Sequence, residues 1–136
     1  MKFITRDTDY AFRALVFMSR ILKKKGRQVV TVDEIIDAER LPKVFLRRIL
    51  QKLAEKNILS SFKGKAGGFS FLVSPEKISL VDIIRIFQGD VDLTHCFIRQ
   101  KICQNKKTCN VRKKLKAINF LLMKELGKIT IKSLSK

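Results

Sequence analysis

The pattern of apolar and polar positions predicts five helices and one β-hairpin along the chain. The first helix covers residues 9–22, where apolar side chains recur at helical spacing and form a wide, largely buried stripe. Lys23–Gly26 ends it, because cations suit the negative end of the helix dipole and glycine readily adopts positive φ. Thr31 and Glu34 have the spacing of a capping box, which predicts a short second helix to about Glu39.

A third helix is predicted to have Pro42 in its first turn and to run to about Asn57. Four apolar residues at helical spacing form its buried stripe: Leu46, Ile49, Leu50 and Leu53. At about 100° per residue, five polar residues lie away from that stripe: Lys43, Arg47, Arg48, Gln51 and Glu55. The helix therefore presents a broad and mostly cationic face to solvent.

Two β-prone segments follow, residues 58–63 and 69–73, and the glycine-rich stretch 64–68 separates them. Glycines between such segments are typical of a hairpin. Ser79 then suits the cap of a fourth helix, and Gly89 suits its end.

The last helix is predicted from Asn110 to about Leu126. Its apolar residues form a narrow seam that suits pairing with another helix: Val111, Leu115, Ile118 and Leu122. Helix, short helix, sharp turn, helix and hairpin is the order of elements in a winged helix-turn-helix. We therefore expect a mainly α fold with a small β-hairpin, in which the third helix enters the DNA major groove and the hairpin forms a wing against the backbone or minor groove.

The charge of the chain is consistent with a nucleic-acid partner. The 136 residues carry 30 Lys and Arg against 12 Asp and Glu, and the formal charge of +18 points to a polyanion. Apolar residues make up 46% of the chain, which indicates a globular protein rather than a disordered basic tail. Residues 40–65 hold eight basic side chains and one acidic one, and residues 91–136 hold 12 basic and 2 acidic side chains.

Other classes of function fit the sequence less well. No membrane partner is expected, since the longest apolar run is short and no basic amphipathic helix stands apart from the core pattern. Residues 1–7 lack an apolar signal-peptide region, so we expect a cytoplasmic location. An enzyme is disfavoured, because the chain has one His, one Tyr and no catalytic grouping of side chains. A general nucleic-acid-binding structural protein fits the charge but lacks an RNA-type aromatic platform.

The candidate DNA-binding residues fall into three groups. Side chains that donate to base edges are found on the third helix: Arg47, Arg48 and Gln51. Phosphates are the expected partners of three lysines, which would set register rather than sequence: Lys43, Lys63 and Lys65. The glycines of the wing complete the set: Gly64, Gly67 and Gly68.

Cys96, Cys103 and Cys109 are spaced C-x₆-C-x₅-C in a segment without a clear period. Such a segment can bend and bring three thiols to one centre, and nearby cations would stabilise thiolates: Lys101, Lys106, Lys107 and Arg112. Thiolates bind zinc or iron–sulfur clusters. The spacing alone does not choose between these two and three unligated cysteines, although a disulfide is not expected in a reducing compartment.

Four stretches resemble the Rrf-type winged-helix transcription regulators, a family that includes iron–sulfur sensors of the IscR and NsrR kinds. These stretches are DYAFRAL at 9–15, LPKVFL at 41–46, LSSFKGKAGGF at 59–69 and ISLVDII at 78–84. The resemblance covers nearly the whole chain, and its most specific part is the glycine-rich wing followed by a cysteine loop. The wing begins Lys63-Gly64, where many relatives have Arg-Gly.

The resemblance implies a homodimer that reads a pseudo-palindromic operator in double-stranded DNA and pairs through the long C-terminal helix. It implies three parts: a winged helix-turn-helix DNA-binding domain at 1–88, a cysteine-containing sensor loop at 89–109, and a dimerisation helix with a C-terminal tail at 110–136. The implied function is transcription regulation in response to nitric oxide, redox state or iron–sulfur status. The alternative is a cluster-free regulator of the same fold that responds to a metabolite, a partner protein or thiol oxidation.

The resemblance also implies that the three cysteines hold an iron–sulfur cluster. Relatives with a 2Fe–2S cluster have a His three residues after the third cysteine, where this chain has Arg112. The resemblance therefore favours 4Fe–4S over 2Fe–2S, with Asp9 of the other subunit as fourth ligand, as in NsrR-like regulators. His95, next to Cys96, is the rival ligand. The first two cysteines are separated by six residues instead of the family's usual five, and such clusters are easily lost in air.

Overall fold

The computed structural model describes residues 3–94 and 107–136. Within these residues the elements are α1 (Arg6–Lys25), α2 (Val32–Glu39), α3 (Lys43–Glu55), β1 (Leu59–Phe62), β2 (Gly68–Phe71), α4 (Leu80–Gln88), α5 (Asn110–Lys128) and α6 (Ile131–Leu134). The expected mainly α fold with one small antiparallel hairpin is confirmed. None of the helices in this part of the chain is long and apolar enough to cross a membrane.

Helix α1 begins at Arg6, three residues before the predicted start at Asp9. The earlier start has a local cause, because the Thr5 side chain accepts a hydrogen bond of 3.4 Å from the backbone nitrogen of Thr8. Gly26 ends the helix with φ of 62°, as predicted. The longer helix places Asp9 in the first turn rather than at the helix boundary.

Helices α2 and α3 form the helix-turn-helix. The predicted capping box at the start of α2 is present, since Thr31 and Glu34 each bond the backbone nitrogen of the other. Pro42 is the N-cap of α3 and not a residue of its first turn, because its ψ of 126° is extended. Helix α3 ends at Glu55, short of the predicted Asn57, and its buried stripe is the one the sequence predicts.

The wing is a two-stranded antiparallel hairpin in which Leu59 pairs with Phe71 and Phe62 pairs with Gly68. Gly68 belongs to β2 and not to the loop predicted at 64–68. A side chain at this position is excluded, because a Cβ would lie 2.3 Å from the backbone oxygen of Val30. Val30 and Phe69 exchange two backbone hydrogen bonds of 2.8 and 2.9 Å, which attach the wing to the segment before α2.

The C-terminal residues return to the helices of the N-terminal part of the chain. Ser79 caps α4 and Gly89 ends it, as predicted. After α5, helix α6 forms where the sequence predicts only a tail, and Ile131 is fully buried in the core. The backbone nitrogen of Ile131 donates to the oxygen of Ile78 at 2.9 Å, and that of Leu80 donates to the oxygen of Ile129 at 2.9 Å. Four residues are too few to give a periodic pattern, so α6 has no sequence signature.

The packing of α6 generates a prediction about stability. Ile131→Ala should lower the free energy of unfolding by about 2–5 kcal/mol, because it removes a fully buried branched side chain next to α1. Leu134→Ala is the matched control, since Leu134 is 40% exposed, and it should cost less than about 1 kcal/mol. Denaturant unfolding at one fixed protein concentration measures both values. Equal losses in the two variants would contradict the docking of α6.

Candidate nucleic-acid interface and cysteine segment

Helix α3, the wing and the start of α2, including Asp33, line an open groove. Its lining includes Arg47 and Gln51 from α3 and Phe62, Gly64 and Lys65 from the wing. The structure therefore brings together side chains from both of the predicted DNA-binding elements. Arg47, Gln51 and Lys65 are exposed, and within the described part of the chain Arg47 and Lys65 form no ion pair.

Arg48 has an acidic partner and Arg47 has none among the described residues, although the sequence pattern places both on the same exposed face of α3. One Arg48 guanidinium nitrogen donates to both carboxylate oxygens of Asp7, at 3.0 and 3.1 Å. The guanidinium carbon also lies 5.2 Å from the centre of the Phe45 ring. Arg48 is thus held between α1 and its own helix, whereas Arg47 points into the groove. The separation of 41 positions along the chain between Asp7 and Arg48 explains why no local pattern reveals this contact.

Among the candidate lysines, Lys43 forms an ion pair, whereas Lys63 and Lys65 form none with another described residue. Lys43 forms an ion pair of 3.1 Å with Asp33 of α2, with both side chains exposed. Lys63 and Lys65 are exposed in the wing without an ion pair to another described residue. Of the two, Lys65 lines the groove beside α3.

The wing glycines shape the hairpin. Gly64 has φ of 100°, a backbone conformation that residues with a side chain rarely adopt. A Cβ on Gly67 would lie 2.4 Å from the backbone oxygen of Phe62. Gly64 and Gly67 line the groove, and Gly68 is buried beside Val30. The backbone conformation at Gly64 and the close backbone oxygens at Gly67 and Gly68 therefore explain why glycine occupies all three positions.

The candidate cluster ligands are only partly described. Cys96, Cys103 and the rival His95 lie outside the described residues. Cys109 is half-buried and is the N-cap of α5, where its side chain makes no capping hydrogen bond. Four cations line the same surface depression as Cys109: Lys107, Arg112, Lys113 and Lys116. Asp9 lies on the surface of α1, where its carboxylate is 3.2 Å from Nε of Arg13.

Gln88 is a residue that the sequence pattern does not single out. It is the last residue of α4, directly before the segment that carries the cysteines. Its Oε1 accepts hydrogen bonds from the Thr5 backbone nitrogen at 3.1 Å and from the Thr8 hydroxyl at 2.8 Å. Its Nε2 donates to the backbone oxygen of Phe3 at 2.8 Å. Gln88 therefore fixes the start of α1, the turn that carries Asp7 and Asp9.

The capping box of α2 also has an electrostatic part. Arg27 donates a hydrogen bond to the Glu34 carboxylate, which also accepts from the Thr31 backbone nitrogen. The pKa of Glu34 is lowered from its ordinary value of 4.5, first by the hydrogen bond from Arg27 and then by the one from Thr31. The charged form of Glu34 is thus the one that stabilises the start of α2.

Comparison with known families identifies this arrangement. Residues 4–136 match the model of a family described as Rrf2, iron-dependent transcriptional regulator. This chain belongs to the Rrf2 family. The Rrf2 family and the relatives named below are transcriptional regulators and not enzymes.

Individual Rrf2 relatives are similar along most of their length. The transcriptional regulator NsrR of Bacillus subtilis is 22% identical over 134 residues, which cover 98% of this chain and 90% of that protein. The structure of CymR, the global cysteine regulator of B. subtilis, superposes with a TM-score of 0.80 at 18% identity and covers 99% of this chain and 97% of that one. IscR of T. potens has a TM-score of 0.75 at 17% identity, with coverage of 98% and 85%. The two structures share the winged-helix fold of this chain.

The Glu34 contacts generate a prediction about pH. Because the folded-state pKa of Glu34 lies below its unfolded value of 4.5, its contribution to stability is fully present above that value and is lost as pH falls through the folded pKa. Glu34→Gln, which keeps a capping amide, should therefore destabilise the protein at pH 7, and the difference from wild type should shrink at acidic pH. Urea unfolding across this pH range measures the difference.

A second variant checks the cause of the Glu34 effect. In an Arg27→Gln background the pH-dependent part of the Glu34→Gln difference should decrease, because the largest cause of the lowered pKa has been removed. A difference between wild type and Glu34→Gln that stays constant with pH would contradict the electrostatic role.

Proposed function

We propose that this Rrf2 protein is a homodimeric, sequence-specific DNA-binding regulator in which α3 enters the major groove and the wing follows the phosphate backbone. The observation that carries the proposal is the shared groove, which is lined by Arg47 and Gln51 of α3 and by Lys65 of the wing. A recognition helix and a wing that bind one duplex need such an arrangement of base-reading and phosphate-binding groups.

The contacts within the protein suggest a division of labour among the candidate residues. Arg47 and Gln51 are exposed and would donate to base edges, with guanine and adenine as their preferred bases. Lys63 and Lys65 would contact phosphates, and Lys43 would do so after exchanging its surface ion pair with Asp33. Arg48 reaches DNA only if it leaves Asp7, so its contribution depends on α1.

Helix α5 is the proposed dimer interface. Three apolar side chains that are well exposed in the single chain share one side of the helix, opposite the exposed Phe120: Val111 at 67%, Ile118 at 52% and Leu121 at 60%. Pairing with a second copy would bury this surface, and a two-fold dimer would match a pseudo-palindromic operator.

The division of the chain at 1–88, 89–109 and 110–136 remains a prediction. Helix α6 belongs to the third part in this division, although it packs on α1 in the first part.

The proposed sensor is an iron–sulfur cluster held by the three cysteines, with Asp9 of the second subunit as fourth ligand and 4Fe–4S as the favoured type. The chemistry of the described donors supports it, because the Cys109 thiol makes no capping hydrogen bond and has four cations around it. The family description as iron-dependent supports it as well. When bound, such a cluster supplies iron that reacts with nitric oxide or oxidants.

The chain offers a route from the cysteine segment to α3. Gln88 holds Thr5 and Thr8 at the start of α1, and Asp7 in the same turn holds Arg48. A change in the order of the segment that follows Gln88 would alter these contacts and so the freedom of Arg48. This part of the proposal needs only contacts within one chain.

A cluster-free regulator of the same fold is the second candidate. The ion pair between Asp9 and Arg13 favours it, since this carboxylate already has a partner on its own helix. Arg112 also occupies the position where 2Fe–2S relatives have a His ligand. In this case the cysteines stay free or form a thiol switch, and the signal is a metabolite, a partner protein or thiol oxidation.

The proposed division of labour predicts different phenotypes for two substitutions. Arg47→Ala should relax sequence preference and cost about 1–3 kcal/mol on the preferred site, because a base contact is lost. Lys65→Ala should weaken binding to all sequences alike and reduce the slope of log affinity against log salt by about one. Titrations of selected and scrambled duplexes at several salt concentrations measure both effects.

Lys77→Ala provides the matched control for these titrations. Lys77 is exposed in the turn before α4 and belongs to neither α3 nor the wing, so its removal should change affinity less than that of Lys65. Identical losses of specific and nonspecific binding in Arg47→Ala and Lys65→Ala would refute the assignment of base and phosphate contacts.

The proposed ligand set predicts the outcome of anaerobic purification. The wild type should be brown, with bound iron and sulfide, and Cys103→Ala should lose them. Asp9→Ala should bind a more labile cluster, whereas Asp7→Ala in the same helical turn should keep it, because Asp7 is engaged with Arg48. Iron and sulfide analysis with visible spectroscopy measures these differences. A colourless wild type after anaerobic reconstitution would exclude the cluster and favour the second candidate.

A further inference from the structure

Val44 is an apolar residue in an unexpected place. It is the second residue of α3, and 80% of its surface is exposed. A recognition helix contacts base edges with the residues at its N-terminal end. Val44 therefore lies where side chains meet DNA, but it has no group that donates or accepts a hydrogen bond.

The position of Val44 around α3 makes it part of the same face as the candidate base-reading residues. Arg47, Arg48 and Gln51 follow it by three, four and seven residues, so at 100° per residue all lie within about 60° of Val44. The buried stripe of α3 lies about 180° away. Val44 thus points away from the core and lies between the polar side chains of the exposed face.

The neighbouring apolar residue, Phe45, has a different environment. Its ring is covered by the Arg48 guanidinium at 5.2 Å, and only 36% of its surface is exposed. Val44 has no comparable cover in the described structure, so its two methyl groups face solvent. An apolar side chain with two methyl groups, placed among donors, offers a contact that Arg and Gln cannot make.

We propose that Val44 is a specificity-determining residue that recognises the C5 methyl group of a thymine in the major groove. Thymine is the base that presents a methyl group on this edge, and an apolar side chain is the natural contact for it. Arg47 and Gln51 recognise purines, and Val44 adds the discrimination of thymine from cytosine. This inference rests on the proposed DNA-binding function and adds a base contact to it.

The experiment removes the C5 methyl group of one thymine at a time. A preferred duplex is first selected from random sequences with the full-length wild type. Each thymine of one half-site is then replaced by deoxyuridine, which differs only by the absence of the C5 methyl group. Burial of one methyl group predicts that uridine at one position lowers affinity by about three- to fivefold, with little effect at the others.

Two variants and one control test whether Val44 makes this contact. In Val44→Ala the loss at the sensitive position should fall below about 1.5-fold, whereas Val44→Ile should retain it, because the branched side chain is kept. Leu72→Ala is the control, since Leu72 is 57% exposed but lies outside α3, and it should show the wild-type loss. Thermal unfolding checks that exposed position 44 tolerates each change.

The outcomes separate this inference from the proposed function. If the wild type selects no sequence, DNA recognition itself fails. If it selects a sequence but no thymine is sensitive to uridine, or if Val44→Ala retains the full loss, DNA recognition stands and the role of Val44 is overturned.

Discussion

The burial of one face of α1 under four other helices is the constraint on which the rest of the structure depends. Ala11, Ala14, Leu15 and Met18 of this face are fully buried, and α1 contacts α2, α3, α4 and α6. The two alanines permit close approach, and the larger residues fill the space between the helices. Because α3, which is proposed to read DNA, and α4, which leads to the cysteine segment, both pack on α1, any movement of α1 affects both.

The parts of the fold that rest on local interactions could be predicted from the sequence. The caps at Thr31 and Ser79, the glycine ends of α1 and α4, and the buried stripe of α3 each need only a few neighbouring residues. Helix α1 starts earlier than its apolar stripe predicts, because the Thr5 cap precedes that stripe by several residues. Helix α6 and the position of Gly68 in β2 depend on contacts with distant backbone, at Ile78 and Val30, which no local pattern contains.

The same distinction applies to the candidate site. A helical projection places the cationic residues of α3 on one face, but it does not show which of them are already engaged. Asp7 binds Arg48 and Asp33 binds Lys43, so two of the four basic residues of α3 already have an acidic partner. The eight basic side chains of residues 40–65 therefore overstate the number of cations there that can reach base edges and phosphates without breaking a contact. Arg47, Lys63 and Lys65 carry the proposed site because they have no such partner among the described residues.

The contacts that Gln88 and Arg48 each make with the start of α1 have a strength that suits the proposed regulation. Gln88 makes three hydrogen bonds, each worth about 0.5–1.5 kcal/mol net, and the exposed pair of Asp7 and Arg48 adds about 0–1 kcal/mol. Their sum is comparable to a typical allosteric coupling free energy of about 1–3 kcal/mol. It is also small beside the burial of α1, so these contacts can break while the helical core stays folded. Under the proposed mechanism, a signal at the cysteine segment would therefore change the affinity for DNA by about 5- to 150-fold while the helical core stays folded.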